Sequence, residues 1–246
     1  MSGHSHWAGI KHKKAVVDAK RGKLFSRLAK EIIVAARAGG GNPDANLGLR
    51  TAIDKAKSFS VPNSNIERAI KSGSGEIPGV TYDRVPYEGY GPGGVAILLD
   101  ILTDNRNRTA AELRKIFSQR GGNMEGSVAW MFEAKGLITL PADAIDEDEL
   151  MEIVLEAGAD DLARTEDSYE ITTSPSDFSV VRQAILDKEL EPDVAELTML
   201  PQNLVTVDGA IARRALALLE ELDDHDDVQN VYTNLDVSPE LAAESG

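Results

Sequence analysis

Residues 89–102 read GYGPGGVAILLDIL, and the reading of this stretch decides the fold. Its first six residues, Gly89-Tyr90-Gly91-Pro92-Gly93-Gly94, formally match G-x-G-x-x-G, the phosphate-binding turn of dinucleotide folds. That turn must follow a strand and open a helix. Here the glycines open a second strand, Val95–Leu102, after a strand-like segment at Val85–Tyr90. A tight turn between strands is therefore the better account, and the nucleotide-binding βαβ reading is set aside. The second strand is apolar on both faces, the pattern of a strand with neighbours on each side.

Working outward toward the C-terminus, Thr103–Arg108 (TDNRNR) precedes a helix that Thr109-x-x-Glu112 would cap, running to about Arg120. Arg106 and Arg108, next to that helix N-terminus, are candidate phosphate ligands, although a plain polar turn is the favoured reading of the stretch. Gly121-Gly122-Asn123 reads as a turn, and Val128, Trp130 and Phe132 alternate as along a strand. From residue 134 a strand, helix, two strands, helix and strand follow, at Leu137–Leu140, Glu147–Ala157, around Ala163, Tyr169–Thr172, Ser176–Leu186 and Ala195–Leu200. This β-α-β-β-α-β order is a complete ferredoxin-like unit. Leu204–Val207, Ala210–Leu222 and Val228–Leu235 then add a further βαβ, which with residues 85–133 makes a second unit. The expected fold class is α+β: an all-helical N-terminal domain, then two ferredoxin-like domains, one inserted in the other. The expected boundaries are 1–80, 81–133 with 203–238, and 134–202.

Toward the N-terminus, Gly39–Gly41 breaks the chain, Asn42 and Pro43 suit a helix start, and Ser64-x-x-Glu67 reads as a capping box. Ahead of these lies KHKKAVVDAKRGKLFSRLAKEIIVAAR, Lys11–Arg37, with nine Lys/Arg against two acids. At about 100° per residue, Lys20, Lys23, Arg27, Lys30 and Arg37 share one arc, and Leu24, Phe25, Leu28, Ala29, Ile32, Ala35 and Ala36 the opposite one. Gly22 suggests a helix boundary near Lys20–Gly22. A row of cations held in register by a buried face can match a phosphate backbone; a solvated helix face is the alternative. The candidate nucleic-acid contacts are Trp7, Lys11, His12, Lys13 and Lys14 in an N-terminal arm, then Lys20, Arg21, Lys23, Arg27 and Lys30, with Arg106 and Arg108. Trp7 among cations can stack on a base; an anchor that holds the arm on the helical domain is the equal alternative.

The chain of 246 residues has a net charge of −15, and the charge is segregated. Residues 1–80 carry +8, residues 81–133 carry −1, and residues 134–246 carry −22. One basic module with an acidic remainder is implied, rather than a protein that coats nucleic acid. There are no cysteines, so disulfides, thiolate zinc sites and cysteine nucleophiles are excluded. Apolar runs such as Val95–Leu99 are too short to span a bilayer, and no apolar leader is visible, which points to a cytoplasmic protein. No P-loop, nucleophile elbow or H-E-x-x-H is found. The paired acids Asp146–Glu149 and Asp223–Asp227 have no base or nucleophile near them in sequence and read as solvated surface. Neither an enzyme, a cofactor nor a metal site is expected.

Several stretches resemble the YebC/PmpR family: Gly3-His4-Ser5, Trp7-Ala8, Ile10-Lys11-His12 with Lys14, Asp18-Ala19-Lys20-Arg21-Gly22-Lys23, Ala52–Ala56, Asn65–Ile70, Tyr87–Gly94, Thr103–Thr109 and Gly126–Ala129. His6 and Gly9 depart from the usual Lys and Asn. The resemblance implies a helical domain and two α+β domains, in a cytoplasmic protein of gene expression. It implies either a transcriptional regulator that binds promoter DNA or a translation factor that works at ribosomal RNA, as for relatives linked to proline-rich stalling. A protein-interaction module, with the basic helix packed internally against the acidic half, is a third reading.

Overall fold

The computed structural model describes residues 18–165 and 167–237, with residues 18–20 described by their backbone alone. The described residues begin with three helices, α1 (Asp18–Gly39), α2 (Leu47–Ser58) and α3 (Asn63–Ser74). Leu28, Ile32 and Ala36 of α1, Leu49, Ile53 and Ala56 of α2, and Ile66 and Ala69 of α3 bury into one apolar cluster. Each set repeats at three- or four-residue spacing, so one stripe of each helix faces inward. α1 runs unbroken through Gly22, where a boundary was expected. Burial of the stripe outweighs the roughly 1 kcal/mol that glycine costs inside a helix. Gly73 sets the approach of α3 to α1, because a Cβ there would sit 2.5 Å from the Ile33 carbonyl oxygen.

The helix starts differ from those expected. Asn42–Ala45 forms a turn, and Asn46 caps α2 by accepting from the Leu49 N–H. α3 begins at Asn63 behind Pro62, without a side-chain cap. In each case several Asn or Ser residues compete for one role, and packing of the apolar stripe chooses among them.

Two α+β units follow, in agreement with the expected fold class. The first sheet pairs β1 (Asp83–Tyr90), β2 (Ala96–Thr103) and β8 (Val228–Thr233), all antiparallel, with β2 central. The glycine-rich stretch is a tight turn at Pro92–Gly94, with Gly93 and Gly94 both at positive φ. Helices α4 (Arg106–Arg120) and α7 (Gly209–Asp223) cover one face over Ile97, Leu99 and Ile101. The other face buries Ala96 and Leu98 against Val128 and Phe132. Val128–Phe132 is not a strand of this sheet: Ala129–Met131 is a single 3-10 turn, and Trp130 is exposed. Its shape comes from Glu88, whose carboxylate accepts the N–H groups of Val128 and Ala129 and the Ser127 hydroxyl. A short parallel pair, β7 (Val205–Thr206) with β9 (Leu235–Asp236), stands apart.

The second sheet has the order β4-β5-β3-β6, from β3 (Phe132–Pro141), β4 (Ala159–Arg164), β5 (Ser168–Thr173) and β6 (Val194–Pro201). Helices α5 (Glu147–Glu156) and α6 (Phe178–Leu186) close its core around Ile138, Tyr169 and Ile171. The chain enters and leaves this unit at one place, where the Gln202 N–H donates to the Met131 carbonyl at 2.9 Å. No helix among the described residues is long and apolar enough to cross a membrane.

Candidate functional site

The basic face of α1 lies against the first α+β unit. Three cations at i, i+4 and i+7 each meet a carboxylate from the stretch Asp223–Asp227, which ends α7 and leads into β8. Lys23 Nζ is 3.6 Å from the Asp224 carboxylate and donates to its backbone carbonyl at 2.9 Å. Arg27 Nη1 is 3.3 Å from Asp223 Oδ1. Lys30 Nζ is 2.8 Å from Asp227 Oδ1, and its other donors reach the carbonyls of Asp226 and Leu102. The Lys30 ammonium also sits over the Tyr82 ring, 5.2 Å from its centre.

Asp227 is the hub. Its second carboxylate oxygen accepts from Arg108 Nη2 at 2.8 Å and from the Thr109 hydroxyl at 2.7 Å. The Thr103 hydroxyl backs up Thr109 at 2.8 Å. Burial by itself would raise the Asp227 pKa. Hydrogen bonds from Lys30, Thr109 and Arg108, with the Lys30 charge, instead hold the carboxyl well below its ordinary range. Arg108 is raised, mainly through its bonds to Asp227 and Asp104. His225 Nδ1 accepts from the Asp227 N–H, which leaves its Nε2–H to donate to Glu112 at 3.0 Å.

An open groove of about 1000 Å³ runs beside this network, lined by the cations Lys23, Lys30 and Arg108 and by the acids Asp104, Glu112, Asp224, Asp226 and Asp227, with Tyr82. A second, of about 440 Å³, continues along α1 to Asn65 and Arg68. Gly22, Ser26, Ala29 and Ile33 line both.

The structure thus gathers Lys23, Arg27, Lys30 and Arg108 at one interface. Arg106 is placed apart from them, paired with Asp83 at 3.0 Å. Arg106 and Arg108 lie in the first turn of α4, whose cap is Asn105 rather than Thr109. Thr109 is buried instead, with its hydroxyl on Asp227. Arg21 is exposed at the start of the row. Trp7, Lys11, His12, Lys13 and Lys14 lie outside the described residues, as does the Lys20 side chain. Asp223–Asp227 was the acidic run that read as solvated surface; the Asp227 side chain is only 7% exposed. The one sequence signal for it was its sign: four aspartates in five residues, opposite to the row on α1.

A family described as TACO1/YebC protein N-terminal domain matches residues 5–76, and one described as TACO1/YebC second and third domain matches residues 82–235. The chain belongs to the TACO1/YebC family. A TACO1/YebC relative from Natranaerobius thermophilus, named "Probable transcriptional regulatory protein", is 57% identical over 246 residues, covering 98% of each chain. One of the same name from Dictyoglomus turgidum is 55% identical over 244 residues, again covering 98% of each. The crystal structure of a conserved hypothetical protein from Aquifex aeolicus superposes with a TM-score of 0.83 at 46% identity, covering 95% of this chain and 98% of that one.

Proposed function

We propose that this chain is a nucleic-acid-binding regulator of gene expression, and more narrowly a cytoplasmic, DNA-binding transcriptional regulator. The observation that carries the reading is the charge segregation: +8 on residues 1–80 in a chain whose residues 134–246 carry −22. A polyanion is attracted to the first region and repelled by the last, so contact is confined to one end. In this reading residues 1–80 form the binding domain, with Trp7, Lys11, His12, Lys13, Lys14, Lys20, Arg21, Lys23, Arg27 and Lys30 as its contacts. Residues 81–133 with 203–238, and residues 134–202, form the two acidic domains that keep clear of phosphate. The names of the relatives agree with a regulator.

Contacts of this kind read the backbone and give little sequence preference. Fluorescence anisotropy with duplex DNA across a salt series is the test. The expected result is binding whose log K falls linearly with log salt. Failure to bind any duplex at physiological salt sinks the DNA reading.

A second reading, a translation factor at ribosomal RNA, is favoured by Trp7 beside Lys11–Lys14, a composition suited to stacking on an unpaired base. It predicts sedimentation with ribosomes in DNase-treated lysate at near-physiological salt, whereas a protein that stays at the top of the gradient leaves the DNA reading.

A further inference from the structure

We propose that the loop Asp223–Asp227 is an internal stand-in for a nucleic-acid backbone, occupying the cation row Lys23–Arg27–Lys30 until a phosphate backbone displaces it. The inference rests on the nucleic-acid reading above and adds how that site is regulated.

Four observations carry it. First, the loop offers acceptors alone to the row: carboxylates at Asp223, Asp224 and Asp227, and carbonyl oxygens at Asp224 and Asp226. A phosphodiester chain offers the same chemistry. From Lys23 to Lys30 is about 10 Å along a helix, the length of about three phosphate steps at 3.4 Å of axial rise per strand.

Second, the acids stand where a helix least favours them. Asp223 ends α7 and Asp224 is its C-cap, at the negative end of the dipole, and the last turn of α7 has no basic residue of its own. These carboxylates repel one another and the helix end, and the cations of α1 relieve that repulsion from outside. A structural clamp alone would not require the charges to be gathered there.

Third, the carboxylates leave Arg27 incompletely satisfied. Among the described residues its guanidinium meets Asp223 through one nitrogen, and Arg27 Nε is buried without a hydrogen-bond partner. A phosphate group can take two parallel N–H bonds from one guanidinium, so the exchange has something to gain at Arg27.

Fourth, the pairs are graded from solvent inward. Lys23 and Asp224 are 46% and 57% exposed, Arg27 and Asp223 15% and 31%, Lys30 and Asp227 14% and 7%. An exposed pair contributes little stability, so Lys23 is the cation that a competing polyanion reaches first. Displacement then proceeds from Lys23 toward Lys30 and separates α1 from the end of α7.

The test uses the full chain and two readouts. Affinity for a short duplex DNA and for an RNA hairpin is measured on the native chain and on Asp223→Asn/Asp224→Asn, whose folding is checked by thermal melting. Because the chain has no cysteine, Asp54→Cys on α2 and Gln119→Cys on α4 can be labelled as a unique energy-transfer pair, both being exposed. The expected result is affinity raised on the order of tenfold in the asparagine variant, with energy transfer changing when nucleic acid binds the native acids. Binding that is unchanged or weaker in the variant, with constant transfer, overturns the inference and leaves the nucleic-acid reading standing. Should the variant not fold, the transfer signal decides: a change on binding supports displacement, and constancy overturns it. If no form binds either probe, the nucleic-acid reading fails and takes this inference with it.

Discussion

The two α+β units reach closure in different ways. The inserted unit holds four strands in one sheet, β4-β5-β3-β6, and closes its core with its own helices α5 and α6. The surrounding unit has a main sheet of three strands, β1-β2-β8, and covers only one face of it with α4 and α7. Its other face is buried by Val128 and by Phe132 and Met199, which belong to β3 and β6 of the insertion. A sheet that is apolar on both faces must have both covered. The insertion is therefore part of the core of the unit that it interrupts. The surrounding unit borrows again at its other end, where Asp227 is held by Lys30 of the helical domain.

The sharpest way to break the comparison is to separate the units. The Gln202–Met131 hydrogen bond brings entry and exit together, so residues 132–201 can be replaced by a short glycine-serine linker. The excised segment is expected to melt cooperatively by itself. The remainder is expected to lose upward of about 3 kcal/mol, the scale of deleting a buried aromatic side chain. Denaturant unfolding of both pieces measures this, and equal stability of the remainder and the intact chain would refute the borrowing.

Charge gives the next contrast. Asp227→Asn leaves Lys30 facing a neutral amide at a buried site and is expected to cost about 3 kcal/mol. Asp160→Asn in the inserted unit breaks only the exposed pair with Lys135, 3.0 Å apart, and is expected to cost less than about 1 kcal/mol. Urea midpoints compare the two.

The same carboxylate sets an acid limit. Asp227 is held below its ordinary value of 3.8, so its stabilisation is fully present above that pH and is lost as pH falls through the depressed folded value. Stability of the native chain is expected to drop more steeply below pH 3.8 than that of Asp227→Asn, as acid titration of the unfolding free energy would reveal.

Smaller effects test the cover over the open face. Glu88→Gln weakens the bonds that shape residues 127–129 and is expected to cost about 1–2 kcal/mol. It should also shift the fluorescence of Trp130, whose indole N–H donates to the Ser127 carbonyl. Trp130→Phe, at an exposed position, is expected to stay within about 0.5 kcal/mol of the native chain.

The unit that closes itself was also the more legible. Its short apolar runs and the stripes of its helices, such as Leu150 and Val154, placed all six elements. In the surrounding unit β2 was read correctly, since Val95–Leu102 is apolar at nearly every position. Val128-Ala129-Trp130-Met131-Phe132 was not, because its alternation imitates a strand; what bends it is a carboxylate 40 residues away at Glu88. Helix starts failed for a related reason: Asn42 and Asn46, or Asn105 and Thr109, are equivalent as caps until packing assigns their side chains.

The candidate site divides along the same line. The row Lys23, Arg27 and Lys30, its buried opposite face, and the acidic character of Asp223–Asp227 follow from the sequence, since helical spacing and charge are local properties. That row and run meet across 197 residues, Lys30 against Asp227, was decided by the tertiary structure alone. Local periodicity states which way a side chain points on its own helix. It does not state what the fold brings opposite, and that turns a solvated acidic run into the counter-charge of a basic helix.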